Sequence, residues 1–189
     1  MKIITAPHHT LRQIAQPVKQ VDHELVEFIE NLKKTLTNQK NPSGVGLAAP
    51  QINKSWQIFA INFADTEFDP AQIELFINPS ITRTSKKISF GQDKKNPRYE
   101  GCLSIPFIYG PIPRFNWIDL EYDEIKKDKL VRTKKRLEWF HARVAQHEHD
   151  HLAGVLFTDY SLKFDLPLYQ EDKKTEQLEE IDKKLVELF

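Results

Sequence analysis

The feature that most constrains this chain is the run His147-Glu148-His149-Asp150-His151. On a helix, residues four apart project from the same face, so His147 and His151 stand one above the other and can hold one metal ion. Glu148, one residue on, stands beside that ion and can take a proton from a water there, the H-E-x-x-H arrangement. Phe140 and Val144 fall on the same side as His147. A stripe that mixes apolar residues with histidines turns inward, so the fold has to be built around a helix that carries polar ligands. His149 lies on the opposite face and is excluded as a ligand. Asp150 reads as a group that supports the ligands or caps a neighbour.

A catalytic site of this kind wants three protein ligands and one open position. In the longer H-E-x-x-H-x-x-G-x-x-H pattern Gly154 is in place, but Phe157 stands where the third histidine belongs and cannot ligate. Two other candidates remain. Glu171, in a charged tail, would make a zincin-type peptidase. Cys102 sits in Glu100-Gly101-Cys102-Leu103-Ser104 and is the only cysteine, which excludes an internal disulfide and any zinc module needing two or more cysteines. Taken alone, a lone cysteine reads first as a plain buried residue. Gly101 permits close approach of backbone or ligand, and the Leu103 N–H could point into the same cavity. A third segment, Gly44-Val45-Gly46-Leu47-Ala48-Ala49-Pro50-Gln51, has little side-chain bulk and lacks the lysine of a phosphate loop.

Residues 22–37 read as a helix, with Asp22 as N-cap and Leu25, Val26, Ile29, Leu32 and Leu36 as its apolar stripe. Pro42, Ser43 and Gly44 break it. Strands are expected over 56–63 and 75–81, separated by a polar loop with Asp65, Asp69 and Pro70. Residues 83–99, charged and containing Gly91 and Pro97, read as loop or exposed hairpin. Ile118, Leu120 and Tyr122 alternate with acids, as in a half-buried strand. The histidine helix is expected over 137–153, ended by Gly154 in a left-handed conformation. A short strand over 155–157 follows, then a helix over 171–188 with Leu178, Ile181, Leu185 and Leu188 on one face. Helices interrupting antiparallel strands, without regular strand–helix alternation, indicate an α+β fold. A single domain is expected, its catalytic part over 1–165, with 166–189 as a helical extension of it.

The net charge is zero, 27 basic against 27 acidic residues, which argues against a general nucleic-acid-binding protein. Residues 83–136 nevertheless hold 14 Lys/Arg against 7 Asp/Glu, and 171–189 hold 4 Lys against 7 acids. The densest basic run, 126–136, reads as a solvated hairpin face or as a patch facing a polyanion such as ribosomal RNA. No stretch approaches the ~18–20 apolar residues of a membrane span. The start has no signal-peptide pattern, so a cytoplasmic chain is expected.

GVGLAAPQ, EGCLS and HEHDH, in this order, resemble the three signature motifs of the peptide deformylase family. LRQIAQPV, Asn78-Pro79, Pro113-Arg114 and Ala142-Arg143 extend the similarity over residues 3–162. The resemblance implies antiparallel β-sheets around a central metal-binding helix, with an N-terminal and a C-terminal helix. It also implies a metal-dependent hydrolase that removes the formyl group from the N-terminal formylmethionine of new polypeptides, releasing formate. Carried onto this sequence, Cys102, His147 and His151 would be the metal ligands and Glu148 the general base and acid. Gln51 and the Leu103 N–H would form the oxyanion hole, and Glu100 would pair with Arg114. Val45, Phe140 and Val144 would line a methionine pocket, and Gly44, Val45, Gly46 and Gly101 would meet the peptide strand. A thiolate with two imidazoles by itself suggests Zn2+. The family points instead to Fe2+, with Ni2+ or Co2+ as active substitutes. A monomer is implied, with N-formylmethionyl nascent peptides as substrate and the ribosome as a transient partner. The sequence departs from the family at Tyr109, where some members have arginine, and at His141, where many are small. Its tail is acidic where a basic helix docks some members on the ribosome; the 83–136 region could substitute. A silent binding module keeping the fold is the other alternative, but every expected catalytic residue is present.

Overall fold

The computed structural model describes residues 1–39, 44–64, 72–91, 99–172, 174–175, 177–182 and 184. The expected break at Pro42 and Ser43, the loop with Asp65, Asp69 and Pro70, Pro97, and the stripe positions Leu185 and Leu188 lie outside them.

The described strands, in chain order, are β1 (Gly46–Ala48), β2 (Ile58–Asn62), β3 (Ile73–Thr84), β4 (Ile88–Ser89), β5 (Glu100–Cys102), β6 (Ile105–Gly110), β7 (Arg114–Phe115), β8 (Trp117–Lys126), β9 (Lys129–Glu138), β10 (Tyr169–Glu171) and β11 (Leu178–Glu180). The helices are α1 (His23–Thr37), α2 (Trp139–Leu152) and α3 (Phe157–Phe164). Sheet one has the order β1-β2-β3-β8-β9, sheet two β11-β10-β6-β5, and β4 pairs with β7. Every pairing between these strands is antiparallel, so the α+β class stands.

β2 is buried at every position because both faces of its sheet are covered. Ile58 and Ala60 pack with the α1 stripe, and Phe59 and Ile61 pack on the other side with Ala142 and Ala145 of α2. That double cover is why its sequence reads as a continuous apolar run. Asp22 caps α1 by accepting the Leu25 N–H at 2.9 Å, as expected. One stripe position differs: Val26 is exposed and Phe28 is buried in its stead. Asn78, in the left-handed region, sits where β3 shifts register against β8. Its amide holds the Val18 N–H and C=O, both at 2.8 Å, and so ties the N-terminal segment to the sheet.

α2 lies close to the expected helix and ends before Gly154, whose φ is +71°. A Cβ there would sit 2.6 Å from the Arg12 carbonyl oxygen. Gly154→Ala therefore combines a disfavoured backbone region with a backbone clash and should lower stability by roughly 1–3 kcal/mol, read by urea unfolding. An unchanged midpoint would mean that the turn relaxes at no cost.

The run 126–136 is a hairpin face. Lys127 and Asp128 form its two-residue turn, both with positive φ, the geometry that matches strand twist. Of the seven cations in that run, Lys126, Arg132, Lys135 and Arg136 face Glu124, Asp123, Glu74 and Asp119 in ion pairs. The positive charge of the run is thus largely answered within the sheet.

Two expectations fail. The strand over 155–157 is instead the start of α3, where Asp159 accepts the Leu156 N–H at 2.9 Å and pairs with Arg12 at 2.7 Å. The C-terminal helix over 171–188 is replaced, among the described residues, by the β10–β11 hairpin. The edge of β6 offers unpaired backbone groups, which β10 takes. Leu168 is wholly buried and its carbonyl accepts the Ile181 N–H at 2.9 Å, fixing both ends of the hairpin. Tertiary pairing overrides a helical spacing that was real in the sequence.

Candidate active site

Three segments far apart in the chain converge on α2. β5 delivers Cys102, the tight turn into β6 delivers Leu103 and Ser104, and β1 with the 3-10 turn Ala49–Ile52 delivers Gln51. Cys102 Sγ lies 3.2 Å from His151 Nε2, which lies 3.2 Å from His147 Nε2. One ligand atom from each residue falls within 4.8 Å of the others, and all three residues are buried. Among the described residues this is the group able to hold a metal ion. Glu171 is outside it: its carboxylate accepts the Tyr109 hydroxyl at 3.0 Å, and the peptidase alternative loses its third ligand.

The surroundings orient these atoms. His147 Nδ1 donates to Glu100 at 2.8 Å, which turns the Nε2 lone pair toward the thiol. Glu100 also accepts from Arg114 Nε at 3.0 Å and Nη2 at 2.5 Å, as the family pairing implied, and from Arg143 at 3.2 Å. Arg114 Nη1 reaches Asp150 at 2.5 Å, joining β5 to α2. Burial alone would raise the Glu100 carboxyl, but Arg114 and His147 outweigh it and hold it well below the ordinary carboxylate range. The Ser104 N–H donates to Sγ at 3.4 Å. His151 Nδ1 has no hydrogen-bond partner among the described residues. One sulfur and two nitrogens, all buried, thus face one another, a donor set that a metal cation completes. The residues present fit a metal.

Glu148 is 3% exposed, and Oε2 of its carboxylate has no hydrogen-bond partner among the described residues. Burial pushes its carboxyl up to about 7. It lies against Gly46, where a Cβ would collide with Oε1 and come within 2.8 Å of Cδ, so β1 needs glycine there for the carboxylate to fit. Gln51 is oriented by accepting the Ala48 N–H at 2.8 Å. Its NH2 group is thereby turned toward Cys102 Sγ at 3.5 Å and Ser104 Oγ at 3.3 Å.

A cavity of about 230 Å³ opens over these groups. Gly44, Val45, Gly46, Gln51, Gly101, Cys102, Leu103, Phe140, Val144, His147 and Glu148 all line it. His151, 1% exposed, does not line it.

The family model for polypeptide deformylase matches residues 1–165. The chain belongs to the polypeptide deformylase family. A peptide deformylase of Chlorobium phaeobacteroides is 36% identical over 160 residues, 84% of this chain and 79% of that one. The crystal structure of peptide deformylase from Thermotoga maritima superposes with a TM-score of 0.70 at 32% identity, covering 84% of this chain and 95% of that one. The enzyme from Plasmodium falciparum gives 0.72 at 31% identity, covering 84% and 85%. The resemblance on which the motifs were read therefore stands.

Some residues of the site had no assigned part in the sequence reading. Arg143 reaches Glu100, the Ile112 carbonyl at 2.8 Å and the Ser89 carbonyl at 2.7 Å, so one cation ties β4, β5 and α2 together. Its position four residues before His147 was the available signal: a charged residue on an inward stripe needs a buried partner. Ser104 and Tyr99 carried no such signal.

Proposed function

We propose that Cys102, His147 and His151 hold a ferrous ion and that Glu148 moves the protons of the reaction. The protein is an enzyme, a hydrolase that removes the formyl group from N-formylmethionyl nascent peptides and releases formate. The observation that carries the site assignment is the buried sulfur–nitrogen–nitrogen group beside a carboxylate on the wall of a cavity.

A ferrous ion at those three atoms would polarise the formyl carbonyl and bring an attacking water toward ionisation at neutral pH. The Glu148 carboxylate takes the proton of the attacking water and passes it to the departing amine. Negative charge gathers on the formyl oxygen, where the Gln51 NH2 and the Leu103 N–H are the available donors. Gln51 cannot turn its carbonyl there without losing the Ala48 hydrogen bond, which supports its role as donor. Val45, Phe140 and Val144 form the methionine pocket, and the backbone of Gly44, Val45, Gly46 and Gly101 holds the peptide strand; the cavity they share with Cys102 supports this. Iron rather than Zn2+, Ni2+ or Co2+ is the metal on family grounds.

We further propose a monomer, acting in the cytoplasm and meeting the ribosome only transiently. No described helix is long and apolar enough to cross a membrane. Residues 166–189 belong to the same domain as 1–165; the pairing of β10 with β6 supports this.

The direct test is anaerobic release of formate from a formyl-Met peptide by iron-loaded protein; no release would overturn the reading. Aerobic purification should yield markedly lower activity, through metal loss and oxidation of Cys102, and equal activity from both preparations would overturn the assignment of iron. Cys102→Ala should lose most of its bound metal by elemental content. Stoichiometric metal in that variant would move the third ligand elsewhere.

A further inference from the structure

The turn from β5 into β6 carries a hydroxyl that none of the reaction steps uses. Ser104 is wholly buried and does not line the cavity, so it cannot meet the peptide. Its Oγ accepts a hydrogen from the Gln51 NH2 group at 3.3 Å. The same NH2 group reaches Cys102 Sγ at 3.5 Å. At the other end of the amide, the Ala48 N–H donates to Oε1 at 2.8 Å. A third segment keeps the two residues at this spacing. The Ile4 N–H donates to the Gln51 carbonyl at 2.8 Å and the Ala6 N–H to the Ser104 carbonyl at 3.0 Å, so residues 4–6 bridge both.

We infer that Ser104 is a positioning residue for deformylation, its hydroxyl fixing the plane of the Gln51 amide so that one N–H stays aimed at the developing oxyanion. This rests on the reading of Gln51 as an oxyanion donor and deepens it. The terminal torsion of a glutamine is broad, so a single hydrogen bond at Oε1 leaves the amide plane free to rock. The planar NH2 group carries two hydrogens. With one of them on Ser104 Oγ the plane is set, and the other is left on the side of Cys102. Sulfur is a weak acceptor, so that second hydrogen passes readily to the formyl oxygen as charge gathers there, while the first stays on Ser104. A donor held in place before the reaction costs no reorganisation when the charge develops. Without the hydroxyl, the amide would spend part of its time turned away.

The test is a double-mutant cycle on the metal-loaded full chain with a formyl-Met peptide. Ser104→Ala should lower kcat roughly tenfold with KM changed less than about twofold, a part of the ~10²–10³ that one oxyanion donor supplies. Gln51→Ala should lose that ~10²–10³ itself. Adding Ser104→Ala to it should cost less than about twofold more, because a hydroxyl that acts through Gln51 then has nothing to position. A second readout is independent of activity. In nitrogen–proton spectra of the Zn2+-loaded, diamagnetic protein, the Gln51 side-chain amide is assigned by its loss in Gln51→Ala. Its two protons should stand away from free-amide positions in the wild type. In Ser104→Ala one should return toward them, and both should exchange with water at least ~10-fold faster. Free-amide positions in the wild type, an unchanged kcat in Ser104→Ala, or the same fold loss with and without Gln51 would overturn the inference. A full-rate Gln51→Ala would overturn the donor reading of Gln51 and the inference with it. A slow Gln51→Ala beside a full-rate Ser104→Ala would overturn the inference alone.

Discussion

Glu148→Ala is expected to keep its metal and to lose at least ~10²-fold in kcat on a formyl-Met peptide, the low end for removal of a general base. Two features separate it from its neighbours. It is not among the three residues whose ligand atoms converge, so metal content should survive its removal. Its carboxylate is buried against Gly46, with burial pushing the carboxyl up to about 7, which suits a group that must both take and return a proton near neutrality. Glu148→Gln keeps the volume and removes the base, so it should match the alanine variant in rate while packing like the wild type. Steady-state kinetics with elemental analysis on each preparation checks both statements. A loss smaller than tenfold would remove the assigned role, and a loss of metal together with rate would make Glu148 a support for the ligands instead.

Arg114→Ala should have the largest effect on stability, about 3–5 kcal/mol by urea unfolding, because it leaves buried charge without its partner. Arg114 is 3% exposed, and its guanidinium spans Glu100 and Asp150. Arg143 remains on Glu100 at 3.2 Å but reaches only one of its oxygens. The same variant should weaken metal binding by roughly 10–100-fold, since Glu100 orients the His147 ring and depends on Arg114 to stay ionised. Competition with a chelator measures that. A loss below about 1 kcal/mol with unchanged metal affinity would show that Arg143 alone suffices for Glu100.

The parts of this protein legible in its sequence are those whose physics is local. An i, i+4 pair of histidines with a glutamate between them has only one geometry on a helix, and apolar neighbours on that side leave only one direction for it to face. The α1 cap and stripe, the half-buried β8 and the left-handed Gly154 are likewise read from a few consecutive residues. β9 is less legible because seven of its ten residues are polar: its strand state comes from pairing with β8 over ten registered positions rather than from any alternation of its own.

What the sequence alone determined is a list of candidate groups: two imidazoles and one carboxylate from helix spacing, and one thiol from the resemblance of its motif. Only the tertiary structure decided which atoms of those groups meet. Hydrogen bonds from residues remote in sequence select the lone pair of His147 and the face of the Gln51 amide. The tertiary structure also decided the fate of the tail. Leu178 and Ile181 have helical spacing, yet an open strand edge at β6 and a buried site for Leu168 favour a hairpin. Long-range pairing of backbone groups leaves no periodic trace in the chain that is paired, and for that reason the hydrogen bond from Tyr109 to Glu171 could be seen only once the fold had brought the two together.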